Sequence, residues 1–93
     1  MYDVRPVGED IAEAVDALPA AFLSAFAELR VALEVSPRTV GRPYVASNPG
    51  GSRTASFGPG ERGLVLFVVE DLARQVVWLW QVTVAPDSAL GPP

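Results

Sequence analysis

The chemistry open to this chain rests on arginine, aspartate and glutamate. All seven basic residues are arginines, set against eleven acidic ones, and lysine, histidine and cysteine are absent. Without histidine, the commonest general base and the commonest metal ligand are both missing. Without cysteine there is neither a thiolate site nor a disulfide framework. Ser–His–Asp triads and the usual zinc centres are therefore excluded, which leaves carboxylate-only sites. Gly50, Gly51, Gly58, Gly60 and Gly63 crowd one stretch. No Lys-Ser/Thr pair follows them and they lead into strands rather than a helix, so they read as hairpin turns, not a phosphate loop. Trp78 and Trp80 lack a basic surround for stacking on bases, and core packing or a protein interface accounts for them better. A net charge of −4 and a pI near 4.5 oppose a strong nonspecific grip on nucleic acid or anionic membrane.

These residues must be positioned by a short series of elements. Tyr2 to Val7 forms a strand candidate, with Pro6 marking an edge or a strand end. After Gly8, the acidic pair Glu9-Asp10 suits a helix start, and Ile11, Val15 and Leu18 recur at helical spacing. Leu18-Pro19 interrupts that pattern, because proline disfavours helix before it and tolerates helix after it. Two helices are thus expected, about 9–18 and 20–35. In the second, Phe22, Phe26, Leu29 and Leu33 make an apolar stripe that Ser36-Pro37 ends. Turn signals dominate from Arg38 to Gly63, around a short strand at Ser52 to Phe57. Two strong strands follow, Leu64–Glu70 and Gln75–Val84, joined by Asp71-Leu72-Ala73-Arg74. Strict alternation would place Val76, Trp78, Trp80, Val82 and Val84 on one face of the last strand.

The expected fold class is α+β, in the order β-α-α-β-β-β, with a helical hairpin on one face of a small, mainly antiparallel sheet. Ninety-three residues suit one domain, here 1–85, followed by an irregular tail at 86–93. Forty-nine per cent hydrophobic residues and a mean hydropathy of +0.26 are high for so short a chain. Some apolar surface is expected to remain uncovered. The first Leu64–Val69 strand is apolar on both sides, and two helices cover only one. The expected partner surface is Val65, Phe67, Val69, Val77 and Leu79. No run approaches the ~18 apolar residues that span a bilayer, and the first residues lack the order of a secretory signal, so the expected location is cytoplasmic.

The order of elements and several local features resemble the RelE/ParE superfamily of bacterial toxin–antitoxin proteins, from Tyr2 to about Thr83. The Leu18-Pro19 break and the helix ending at Ser36-Pro37 are similar to that family's helical hairpin. Gly41-Arg42-Pro43 resembles the glycine-containing loop before its second strand. Arg53, Phe57-Gly58 and Arg62-Gly63-Leu64-Val65-Leu66-Phe67-Val68-Val69 resemble its arginine, turn, arginine-leucine-valine-tyrosine region. Asp71, Arg74, Val76, Val77, Leu79 and Val82 fit its final hairpin.

The resemblance implies a toxin-like protein that binds a cognate antitoxin encoded nearby, received as a helix in a groove or as an added strand. The family also contains ribosome-dependent mRNA endonucleases, whose Lys and Arg residues neutralise phosphate charge while other groups move protons. On that analogy Arg53 and Arg62 are the candidate catalytic residues, with Arg38 and Arg42 as further phosphate ligands. Val82-Thr83-Val84-Ala85-Pro86 stands where the nucleases carry a basic and aromatic ending, so nuclease chemistry is expected to be reduced or absent. Two alternatives stay open: an active mRNA interferase that uses arginines, contacting ribosome and mRNA, and a non-catalytic homo-oligomeric module, a homodimer in its simplest form. No cofactor, metal or membrane is expected in any of these readings.

Overall fold

The computed structural model describes residues 1–45, 47–48, 50–71 and 74–86. The C-terminal tail from 87 onward, Leu72 and Ala73 of the last hairpin loop, and Ala46 and Pro49 of the turn-rich segment lie outside the described residues. Strand β1 (Asp3–Pro6) leads into helices α1 (Glu9–Asp16) and α2 (Ala20–Val35), and strands β2 (Arg42–Pro43), β3 (Arg53–Phe57), β4 (Gly63–Glu70) and β5 (Val76–Val84) follow.

The proline logic holds at both ends of α2. Pro19 sits in an extended conformation ahead of the helix, and its carbonyl accepts from the Phe22 and Leu23 amides, both at 2.9 Å. At the other end Pro37 starts a single 3₁₀ turn, where the Thr39 hydroxyl donates to the Ser36 carbonyl at 2.9 Å. The helices thereby become two rods joined by a tight corner.

The sheet runs β1-β5-β4-β3-β2, with β1 parallel to β5 and every other pair antiparallel. The hairpin β4–β5 therefore forms the centre, and the N-terminal strand closes one side. The two-residue β2 adds a strand where only a connecting loop was expected. Gly41 makes it possible: its φ is +65°, and a Cβ there would lie 1.9 Å from the Thr54 carbonyl oxygen. Only glycine lets the chain pass that closely.

Ile11, Leu18, Phe22, Phe26 and Leu33 bury the helices' apolar stripe against one sheet face. That face supplies Val4, Ala55, Phe57, Val65, Phe67, Val69, Val77, Leu79 and Val82. Phe57 meets Phe22 and Phe26 edge-on, with ring centroids 6.3 and 5.5 Å apart, an arrangement that suits the aromatic quadrupole.

The strict alternation expected for β5 fails at one residue. Leu66 pairs with Gln81 but Phe67 pairs with Leu79, so Trp80 is an extra residue in a β-bulge. The bulge shifts the phase, and Val77 and Leu79 come to share the core face with Val82. Trp80 is left 54% exposed.

Candidate functional site

Register determines which side chains emerge from the uncovered sheet face. Arg42 pairs with Thr54, Thr54 with Leu66, and Leu66 with Gln81; beside this row Ser56 pairs with Leu64 and Leu64 with Thr83. A further row joins Val68 to Trp78 and Trp78 to Arg5. The face is thus apolar along β4 and polar toward β2. Leu64 is 44% exposed, while Leu66, Val68 and Trp78 are half-buried among their neighbours.

Val65, Phe67, Val69, Val77 and Leu79, expected to meet a partner, lie elsewhere. All five are buried beneath α1 and α2, Val65, Phe67 and Val77 completely. The helices cover the face of β4 that carries Val65, Phe67 and Val69. The surface left open is therefore its opposite: Leu64, Leu66, Val68 and Trp78, with Trp80 at the bulge.

The two candidate catalytic arginines are also engaged. Arg53 is in phase with Ala55 and Phe57, so its side chain points to the core side and is buried. Its guanidinium donates to the Val40 carbonyl from Nε at 3.3 Å and from Nη2 at 3.1 Å, and to the Gly41 carbonyl at 3.2 Å. These bonds tie the chain entering β2 to the sheet. Arg62 is half-buried, donates to the Ala85 carbonyl at 3.0 Å and lies over the Phe22 ring at 5.0 Å. The structure brings neither arginine onto the open face, and it does not bring the two together.

A different polar group does gather on that face. Arg42, Thr54, Ser56, Glu61 and Leu64 line one shallow cleft beside Gly41. The Ser56 hydroxyl donates to Glu61 Oε1 at 3.1 Å, and Glu61 holds a left-handed φ of 54°, uncommon for a side chain of this kind. The Arg42 guanidinium makes no hydrogen bond or ion pair with the described residues. A cation, a carboxylate and two hydroxyls therefore share an exposed cleft. Sequence parity could have found it, because Arg53-Thr54-Ala55-Ser56-Phe57 alternates with its apolar members inward.

At the far end of the sheet a second cluster closes the N-terminus onto the β4–β5 hairpin. The Tyr2 hydroxyl donates to Asp71 Oδ1, while Arg38 donates to Asp71 Oδ2 through Nε at 2.8 Å and also through Nη2. The Tyr2 bond, then the Arg38 bonds, hold the Asp71 carboxyl below the usual carboxylate range. The same Asp71 contact raises the Tyr2 phenol above its ordinary value. Beside this clasp the Trp78 indole donates to Glu70 at 3.3 Å, and Arg74 lies over the indole at 5.6 Å while reaching Glu70 at 3.4 Å. Among the described residues no group of three acidic side chains gathers where it could hold a metal ion.

No protein-family profile matches the sequence, and no curated protein matches it. The three-dimensional comparison succeeds where sequence does not. The chain superimposes on a chain from the crystal structure of an archaeal RelE–RelB complex from Pyrococcus horikoshii OT3, with a TM-score of 0.62 over 94% of this chain and 98% of that one. The chain has a RelE-like fold. At 18% identity the likeness is one of architecture. In this RelE-like chain the helical hairpin packs on one sheet face, and among the described residues no second layer forms on the other. No helix is long and apolar enough to cross a membrane among the described residues.

Proposed function

We propose that the protein is the toxin-like member of a toxin–antitoxin pair, acting in the cytoplasm, and that its open sheet face receives the antitoxin. The observation that carries this reading is the apolar face of β4, with Leu64 and Trp80 about half exposed and no layer of the described residues over it, on a RelE-like fold. The similar archaeal RelE was crystallised with RelB, which makes a protein partner the natural occupant here. An apolar strip rimmed by polar residues is the usual signature of such a surface. Co-expression with the product of the adjacent reading frame should give a complex that purifies intact and unfolds at higher temperature than the chain alone. Leu64→Glu should abolish the complex while leaving the fold unchanged. A monomeric chain with no gain in stability from that product overturns the proposal.

The cleft of Arg42, Ser56 and Glu61 favours a second reading, ribonuclease activity with these groups in place of Arg53 and Arg62. Arg42 would bind the scissile phosphate, since a guanidinium matches phosphate geometry. Glu61 would take the proton of the 2′-hydroxyl as it attacks the adjacent phosphorus, closing a 2′,3′-cyclic phosphate, while the P–O5′ bond breaks and the leaving oxygen takes a proton from solvent. Induced expression should then arrest growth, and Arg42→Ala with Glu61→Gln should relieve the arrest. Equal toxicity of that double variant removes this reading and leaves antitoxin binding untouched.

A further inference from the structure

Charge in this molecule is segregated by layer. Helices α1 and α2 carry six carboxylates, Glu9, Asp10, Glu13, Asp16, Glu28 and Glu34, against Arg30 alone, a net −5. The whole chain's −4 leaves +1 for everything else. The excess of negative charge over positive therefore lies in the helical layer, on the side opposite the open sheet face.

That acidic layer also contains an apolar recess. The helices stand apart over β1 and β5, and the gap between them is floored by Val4, Val15, Phe26 and Leu79, with Asp16 and Arg30 at its rim. Along α2, at 100° per residue, Leu23 and Ala27 continue the recess from Arg30 toward the helix's outward face, where Val31 and Val35 follow. Leu23 is 43%, Val31 58% and Val35 67% exposed. Alanines at 20 and 27 keep the surface low enough for a second helix to approach closely.

We infer that the groove between α1 and α2 is a docking site for a basic amphipathic helix of a partner protein, separate from the open sheet face. The apolar recess takes one or two of its Leu or Ile side chains. The acidic outer side of α1, Glu9, Glu13 and Asp16, faces its lysines and arginines. Charge decides the class of occupant. A second copy of this chain would bring one −5 layer against another, and an anionic membrane or nucleic acid would be repelled in the same way. A cationic helix is attracted from a distance and held by apolar contact, the helix-in-groove mode.

The inference does not depend on what the sheet face binds, and its test separates the two. The probe is a synthetic 18-residue peptide with leucines at helical spacing and lysines on the remaining positions, titrated into ¹⁵N-labelled protein at low salt. Shifts should concentrate in residues 9–35, and the Kd should rise steeply with added salt. Glu9→Gln, Glu13→Gln and Asp16→Asn together should weaken binding about tenfold, as three screened charge contacts would. Ala12→Leu, which fills the recess without exposing core, should weaken it further, and Leu64→Glu on the sheet face should change nothing. The proposal is overturned by no binding to the wild-type chain, by shifts centred on β4 and β5, or by equal binding of a peptide with glutamate in place of lysine. Sedimentation showing a dimer that buries α1 and α2 overturns it as well.

Discussion

Arg53 shows how a cation can be structural in the midst of an otherwise apolar face. Burial of a guanidinium is costly unless its donors are used, and here three bonds to two carbonyls engage Nε and Nη2. Arg53→Ala leaves the Val40 and Gly41 carbonyls without those donors and should lower stability by about 2–3 kcal/mol in urea denaturation. An unchanged midpoint would show that the bonds contribute nothing. The Tyr2–Asp71–Arg38 clasp adds a pH dependence whose two limbs have opposite sign. Asp71 is depressed in the folded state, so its contribution is complete above the ordinary carboxylate pKa and disappears as pH falls through the lower, folded value. Tyr2 is raised, so its contribution is complete below the ordinary phenol value and disappears as pH climbs through the higher one. Asp71→Asn should flatten the acid limb of the stability–pH curve, and Tyr2→Phe the alkaline limb. Fluorescence-detected unfolding across pH measures both.

Two elements depend on single residues that local pattern does not reveal. Strand β2 exists because Gly41 passes against the Thr54 carbonyl. Gly41→Ala should detach it and cost at least about 1 kcal/mol, seen as loss of amide protection at Arg42 and Tyr44 in hydrogen exchange. Strand β5 carries one residue more than β4 can pair. Deleting Trp80 joins the two registers into one, since Leu79 and Val82 already share the core face. The deletion variant should therefore fold with unchanged helix content by circular dichroism, whereas deletion of Trp78 would put Val77 and Leu79 on opposite faces and unfold the chain. An unfolded Trp80 deletion would mean that the bend of the bulge, not the register alone, is required.

The molecule as a whole has one core and two differently charged exteriors. A single core this small leaves little reserve. Phe67 is completely buried at its centre, and Phe67→Ala should cost about 3–5 kcal/mol, a large part of the ~5–15 kcal/mol that holds a domain together. Thermal unfolding should show a much lower Tm or no cooperative transition. The outer faces answer differently to salt. An apolar contact on β4 should strengthen slightly with sulfate, while a contact on the acidic helical layer should weaken with any added salt. Partners of the two surfaces can be told apart by that response alone.

Much of the architecture was legible in the chain because it follows from local chemistry. Pro19 and Pro37 bound α2, the helical stripe from Phe22 to Leu33 marks a buried face, and β-rich runs separated by turn residues give the strands. The absence of histidine, cysteine and lysine excluded whole classes of active site without any geometry. Pairing lay beyond the sequence. Which side of Leu64–Val69 the helices would cover, the extra residue at Trp80, and the inward turn of Arg53 all depend on register between distant strands. One residue of register moves a side chain across the sheet, so a pattern that names the strands does not say which face is free. The tertiary structure made that choice. It buried the five residues first expected to meet a partner, gathered Arg42, Ser56 and Glu61 from three segments, and put more than the whole of the net negative charge on the helices.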